Sequence, residues 1–304
     1  MILASSTEVR MLPVAISDDV KIYCPENGRF SFFNSPYPAH HSFSAIDIYP
    51  SGRFGHIAPS PVSGVIVGIR WVECPSGRGF KSSTHDCVII VRSSENPKRL
   101  IKILHVDPIV NVGDRIEPGD DLGRLIRSGF FDFWTDPHIH VEVRKPSDPI
   151  RARGGLQLER LMDLHDHGDL QDGLKGLIVK YKPEYSLIDV YGDIKFGLYV
   201  EVDGELGVLD AGIPHYGRFG IHMTSQPIKG EVMLCGKKIG IVRSIHANMC
   251  IAECSDVKFS VNGKNIGLSL YTYPHLKPLI KIVPKKPGTL NLKESQEVTI
   301  NIEP

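Results

Sequence analysis

The chain has 304 residues, room for roughly two domains at ~100–200 residues each. Lys plus Arg equals Asp plus Glu at 35 each, so the formal net charge is zero. That balance leaves no global basic field to draw nucleic acid or an anionic membrane surface, and no run of about 18 apolar residues is present to span a bilayer.

Hydrophobic residues make up 41% of the chain, enough for a real core. The 29 glycines and 22 prolines, with frequent β-branched residues, predict short strands joined by many turns. The six cysteines, at 24, 74, 87, 235, 250 and 254, form no CxxC pair. Free thiols in a reducing compartment are therefore expected. The opening MILASSTEVRMLPVAISDDV lacks a basic start followed by a long apolar run. A cytoplasmic location is the expectation, with leaderless export the alternative.

In chain order, VAISDDVKIYCP predicts a pair of strands. A Pro- and Ser-rich loop, SPYPAHHSFS, leads into the short strand AIDIY, stopped by Pro50 and Gly52. VSGVIVGIRWVEC, CVIIVRSS and RLIKILHV follow as strands. IVNVGDRIEPGDDLGRLIRSG carries Gly113-Asp114 and Gly119-Asp120, a spacing that fits tight turns between short strands. HIHVEVR closes the run, and SDPIRARGG reads as a linker.

Residues 156–170, LQLERLMDLHDHGDL, carry Leu and Met at helical spacing and predict one short helix. Strand patterns then return: GLIVKY, SLIDVYG, FGLYVEVDGELGVLD, GEVMLC, IGIVRSI, VKFSVNG, LSLYTY, LIKIV and EVTINIE. VDGE and VNGK are hairpin signals. The expected division is a β-domain over residues 1–150 and a second β-rich domain over 151–304.

TDPHIHVEVR, residues 135–144, carries the clearest chemistry. Side chains alternate faces along a strand, so His138 and His140 project together while Ile139, Val141 and Val143 take the other side. Imidazole is the commonest metal ligand and a frequent proton carrier. Partners can come from His40 and His41 in the loop, Asp47 in AIDIY, and His105 at the end of RLIKILH. A carboxylate, a loop histidine and one member of the pair make three protein ligands. They leave a fourth tetrahedral position for water, the arrangement of catalytic zinc.

AHHSFSAIDIYPSG, PVSGVI, KILHV, VGDRIEPGDDLG and SGFFDFWTDPHIHVEVR, in that order over residues 38–144, resemble the blocks of the lysostaphin-type (Gly-Gly endopeptidase) zinc metallopeptidases. The resemblance implies an all-β chain. Its first domain would be an antiparallel metallopeptidase-like sheet of the duplicated-hybrid-motif type. It also implies Zn2+ as cofactor, hydrolysis of amide bonds, and a peptide or cell-wall-like substrate such as a cross-bridge. Carried over by position, Asp47 and His140 are metal ligands, and His105 and His138 are catalytic. The family pattern places its first ligand four residues before the Asp. Here that position is Phe43, and His41 and His40 stand six and seven residues before. His41 is the preferred third ligand and His40 its alternative.

The remaining histidines carry plainer expectations. His56 and His85 read as turn or loop residues, and His165 and His167 as surface polar groups. His222, His246 and His275 read as isolated in the second half. Phe130, Phe131 and Phe133 are expected in the core, with Trp134 a candidate groove wall. Two other functions compete with the enzyme. One is a family-like module without activity, suggested by the altered spacing before Asp47. The other is a carrier domain, suggested by the Gly-Asp hairpin pattern, although no lysine stands in a tight turn there.

Overall fold

The computed structural model describes residues 9–165 and 168–303. His167 lies outside them. The fold is all-β: the described residues contain strands, turns and one single-turn 3-10 helix, His40–Ser42.

The chain opens with the hairpin Met11–Ser17 and Val20–Pro25. It turns at Asp18 and Asp19, both at positive φ (48° and 65°), as a tight two-residue hairpin turn requires. A seven-stranded antiparallel sheet follows, in the spatial order Arg115–Ile116, Gly64–Glu73, His85–Ser93, Leu100–Leu104, Ile139–Arg144, Ile46–Tyr49, Arg29–Ser31. Strand alternation gives this sheet two unlike faces. Ile46, Ile48, Ile89, Val91, Ile101, Ile103, Ile139, Val141 and Val143 all enter one buried apolar cluster. The opposite face carries Asp47, Lys102, His140, Glu142 and Arg144, every one of them buried. Buried charge is costly unless paired, so this polar face must be internally satisfied.

The Gly-Asp turns form as the spacing predicts. Gly113 and Gly119 have φ of +102° and +98°. The carboxylates of Asp114 and Asp120 accept from the backbone N–H of Asn111 and Glu117 at 2.7 and 2.8 Å.

The C-terminal half builds a twelve-stranded antiparallel sheet between Leu174 and Glu303. VDGE and VNGK turn as hairpins, with positive φ at Asp203-Gly204 and Asn262-Gly263. Arg218–Met223 and Met249–Cys254 are strands that the pattern did not single out. All six cysteines are free.

The helix expected over 156–170 is absent from its described residues. Leu158 donates its N–H to the Phe43 carbonyl and Leu161 to the Val14 carbonyl. Glu159–Arg160 pairs with Met11–Ser17 as a short strand. The Leu and Met spacing thus serves a strand-like edge, because the backbone found partners outside the segment and had no need of its own i→i−4 bonds. SDPIRARGG is likewise no free linker: Arg144 donates to the carbonyls of Asp148 (2.9 Å) and Arg153 (3.0 Å).

The aromatic run departs from expectation. Phe130 is 59% exposed, and Phe131 and Phe133 are half-buried. Phe131 instead lines a cavity over the polar face of the sheet.

Candidate metal centre

Ile139–Arg144 runs between Leu100–Leu104 and Ile46–Tyr49. The register sets His140 directly opposite Asp47. Paired residues on adjacent strands share a face at short range, and His140 Nδ1 lies 2.8 Å from Asp47 Oδ1.

The third member comes from the loop. Pro38 to Ser42 closes into one 3-10 turn, with Phe43 at φ 58° ending it. With three residues per turn, neighbouring side chains diverge by about 120°. His40 and His41 therefore cannot face the same way. His40 turns inward with no exposed surface, and its Nε2 lies 3.2 Å from His140 Nδ1 and 3.3 Å from Asp47 Oδ1. His41 stays half-exposed on the other side of the turn, where burial and the nearby Arg218 lower its pKa. Of the two loop histidines, it is therefore His40, the alternative, and not the preferred His41 that the turn brings to Asp47 and His140. His40, Asp47 and His140 present ligand atoms within 4.8 Å of one another, and His41 is not among them.

The outward nitrogens decide what this cluster can hold. His40 Nδ1 is 2.6 Å from the Phe32 carbonyl, which can only accept, so this nitrogen carries the hydrogen. His140 Nε2 is 3.1 Å from Glu142 Oε1. Burial raises the Glu142 pKa, but contacts with His140 and Lys102 outweigh it and hold the carboxyl below its usual value. Glu142 is therefore a carboxylate, and His140 Nε2 also donates. His40 Nε2, His140 Nδ1 and Asp47 Oδ1 are then left facing one another with lone pairs, and a cation must sit among them. With a proton alone, it resides on His140: burial opposes the charge, but hydrogen bonds to Asp47 and Glu142 raise the pKa to about 9. Two imidazole nitrogens and one carboxylate oxygen fit zinc. Each ring's second N–H is given to a carbonyl or carboxylate, as metal-bound histidines require. Glu142 is itself fixed by Lys102 Nζ (2.6 Å) and Arg144 Nη1 (2.7 Å).

Two more imidazoles stand beside the cluster. His138 Nδ1 is 2.9 Å from the Asp136 carbonyl, and its Nε2 is 3.8 Å from Asp47 Oδ2. Burial dominates its pKa, which falls to about 4, so the ring is neutral with Nε2 unprotonated. The His105 ring centre is 4.9 Å from that of His138 and 4.6 Å from that of Phe131. His105 breaks RLIKILHV into two strands by adopting φ 71°. Asp86 holds it there from both ends: Oδ1 accepts the His105 backbone N–H (3.0 Å) and Oδ2 faces Nδ1 (2.6 Å). Burial raises the Asp86 pKa, yet His105 outweighs it and keeps the carboxyl well below the usual range.

Asp86 carries no role in the sequence reading, where the strand begins at CVIIVRSS and His85 with its neighbours reads as a loop; the strand in fact starts at His85. The available signal was a charge at a position that the alternation buries. Asp47, Asp86, His105, His138 and His140 all line the cavity of about 610 Å³, with Tyr37, Tyr49, Phe131 and Tyr216 among its aromatic walls.

Together the all-β fold and the cluster define a two-domain protein with a candidate His-Asp-His metal centre on a buried sheet face. Residues 20–160 match the family model described as Domain of unknown function (DUF8155) N-terminal domain, and residues 170–303 match its C-terminal domain. Matched in both domains over most of its length, the chain belongs to that family. No curated protein matches it.

Three solved structures show partial likeness. A catalytic domain of the prophage-encoded M23 protein EnpA from Enterococcus faecalis is 20% identical, covering 37% of this chain and 72% of that one, at a TM-score of 0.24. The M23 metalloprotease pseudoalterin, described as from the deep sea, is 19% identical over 48% and 75%, at 0.29. Lysostaphin is 12% identical over 91% and 96%, at 0.27. At identities and TM-scores this low, nothing about this chain's activity or substrate follows from them.

Proposed function

We propose that the chain is a zinc-dependent metallopeptidase that hydrolyses amide bonds in a peptide substrate of the cross-bridge type. The observation that carries this is the convergence of three lone-pair donors, His40 Nε2, Asp47 Oδ1 and His140 Nδ1. The outward N–H groups of the two histidines are already committed to the Phe32 carbonyl and to Glu142.

Zinc held by these residues would supply Lewis acidity and an acidified water at neutral pH. The chain's own residues supply the rest. His105 gives its Nδ1 hydrogen to Asp86, so Nε2 is the nitrogen free to take a proton. The Asp86 carboxylate stabilises the ring once charged, which suits His105 to carry a proton from water to the leaving amine. His138 has a carbonyl and no carboxylate at Nδ1. It stays neutral, and its unprotonated Nε2 accepts a hydrogen bond from the nucleophilic water and orients it. The aromatic walls around these groups give an apolar or glycine-rich chain a surface to lie against. The altered spacing before Asp47, which favoured an inactive module, is absorbed by the 3-10 turn that delivers His40.

The test is metal content and peptide cleavage on protein purified without chelator. One zinc per chain is expected by elemental mass spectrometry. It should be lost in His40→Ala, Asp47→Ala and His140→Ala and kept in His41→Ala. Cleavage of a glycine-rich cross-bridge peptide, read by mass spectrometry, should vanish with chelator and return with zinc. Folded protein without metal, or cleavage undiminished in His138→Ala, would refute the proposal.

A further inference from the structure

The carbonyls that orient two site histidines are themselves held from the C-terminal half. Phe32, whose carbonyl accepts from His40, follows Ser31, the end of an edge strand. Asp210, with no exposed surface, lies under this corner in the strand Glu205–Ile213. Its Oδ2 accepts the Phe32 backbone N–H at 2.6 Å, and its Oδ1 accepts the Ser31 hydroxyl at 2.5 Å. Ser31 Oγ in turn accepts the N–H of Asn34 at 2.8 Å. His222 Nε2 donates to Asp210 at 3.1 Å, while its Nδ1 has no hydrogen-bond partner among the described residues. Asp210 thus holds the N–H of the residue whose carbonyl selects the His40 tautomer, and through Ser31 Oγ, which also accepts the Phe33 N–H at 3.2 Å, it steadies the far side of that carbonyl's peptide.

A second buried charge acts on the other arm. Lys281, also without exposed surface, donates from Nζ to the Trp134 carbonyl and, at 2.8 Å, to Asp136 Oδ2. Arg29 Nη2 meets the same Asp136 oxygen at 2.6 Å. Asp136 supplies the carbonyl to which His138 Nδ1 donates.

We propose that Asp210 and Lys281 are positioning residues for the two arms of the site. Asp210 aims the metal-facing His40, and Lys281 aims His138. The centre is then a composite of both halves, with an N-terminal sheet that supplies donors and a C-terminal sheet that sets their angles. This rests on the zinc reading above. Groups that orient a metal ligand at one remove typically change metal affinity or activity about 10- to 100-fold when removed. A side chain that merely filled space would change stability alone.

The experiment compares zinc affinity, by chelator competition, and steady-state peptide cleavage across full-length variants. Each variant is checked for folding by near-ultraviolet circular dichroism and thermal melting. Asp210→Ala is expected to weaken zinc binding on the order of 10- to 100-fold, and Asp210→Asn, which keeps an acceptor for the Phe32 N–H, to recover most of it. Cobalt-substituted Asp210→Ala should show an altered visible spectrum. Lys281→Met, which leaves Asp136 paired with Arg29, is expected to keep zinc affinity while kcat falls about 10-fold or more at unchanged KM. Ile116→Ala, a core truncation on the strand at the opposite edge of the seven-stranded sheet from Arg29–Ser31, serves as the stability control and should alter neither quantity in folded protein. Wild-type affinity in Asp210→Ala, or equal loss in Ile116→Ala, overturns the positioning role. A wild type that binds no zinc overturns the underlying site instead.

Discussion

His105 shows at the scale of one residue how the site is paid for. A non-glycine residue at φ 71° costs about 1–3 kcal/mol, and the two bonds to Asp86 offset it. The same carboxylate orients the ring, so structure and chemistry are coupled in one side chain. Asp86→Asn is expected to destabilise the fold by ~1–3 kcal/mol and to lower kcat on the order of 10-fold or more, with zinc retained because Asp86 touches no ligand atom in the cluster. Urea unfolding and metal analysis on the same sample check both parts. Loss of zinc in this variant would mean that the two histidine arms are not separable.

Among elements, close approach between the halves depends on absent side chains. The strand Arg218–Met223 carries Gly220, where a Cβ would stand 1.8 Å from the Phe33 ring. Phe33 follows Phe32, so this contact seats the same loop that Asp210 holds. Gly220→Ala is expected to cost ~1–3 kcal/mol as overpacking and to push Phe33 outward, read as a lowered denaturant midpoint with an unchanged m-value. The pattern of apolar and polar residues made the strands legible because side-chain alternation is a local property of extended backbone. The helix misread over 156–170 had the right apolar residues but no local rule against pairing with Met11–Ser17, a partner far away in sequence.

The whole molecule is joined through its core as well as through ions. Met249 and Ile251, from the C-terminal half, belong to the apolar cluster beneath the N-terminal sheet. Phe30 and Thr272 form a β-bridge between the halves through two backbone hydrogen bonds of 2.9 Å each. Asp136 binds Lys281 and Arg29, and removing one partner from such a buried pair typically costs about 3–5 kcal/mol. Unfolding one half alone would expose these groups, so a single calorimetric transition is expected, with calorimetric and van't Hoff enthalpies in agreement. Two separated transitions would show that the halves are energetically independent.

The all-β class, the shared face of His138 and His140, and the Asp47 strand follow from spacing in the chain, because period-two alternation needs only neighbouring residues to be interpreted. The choice of His40 over His41 belonged to a 3-10 turn whose phase two adjacent histidines cannot reveal. Asp86, Asp210 and Lys281 became interpretable only after folding. Each acts through hydrogen bonds to residues 19 to 179 positions away, and the cost of burying a charge is settled by what the tertiary structure sets against it.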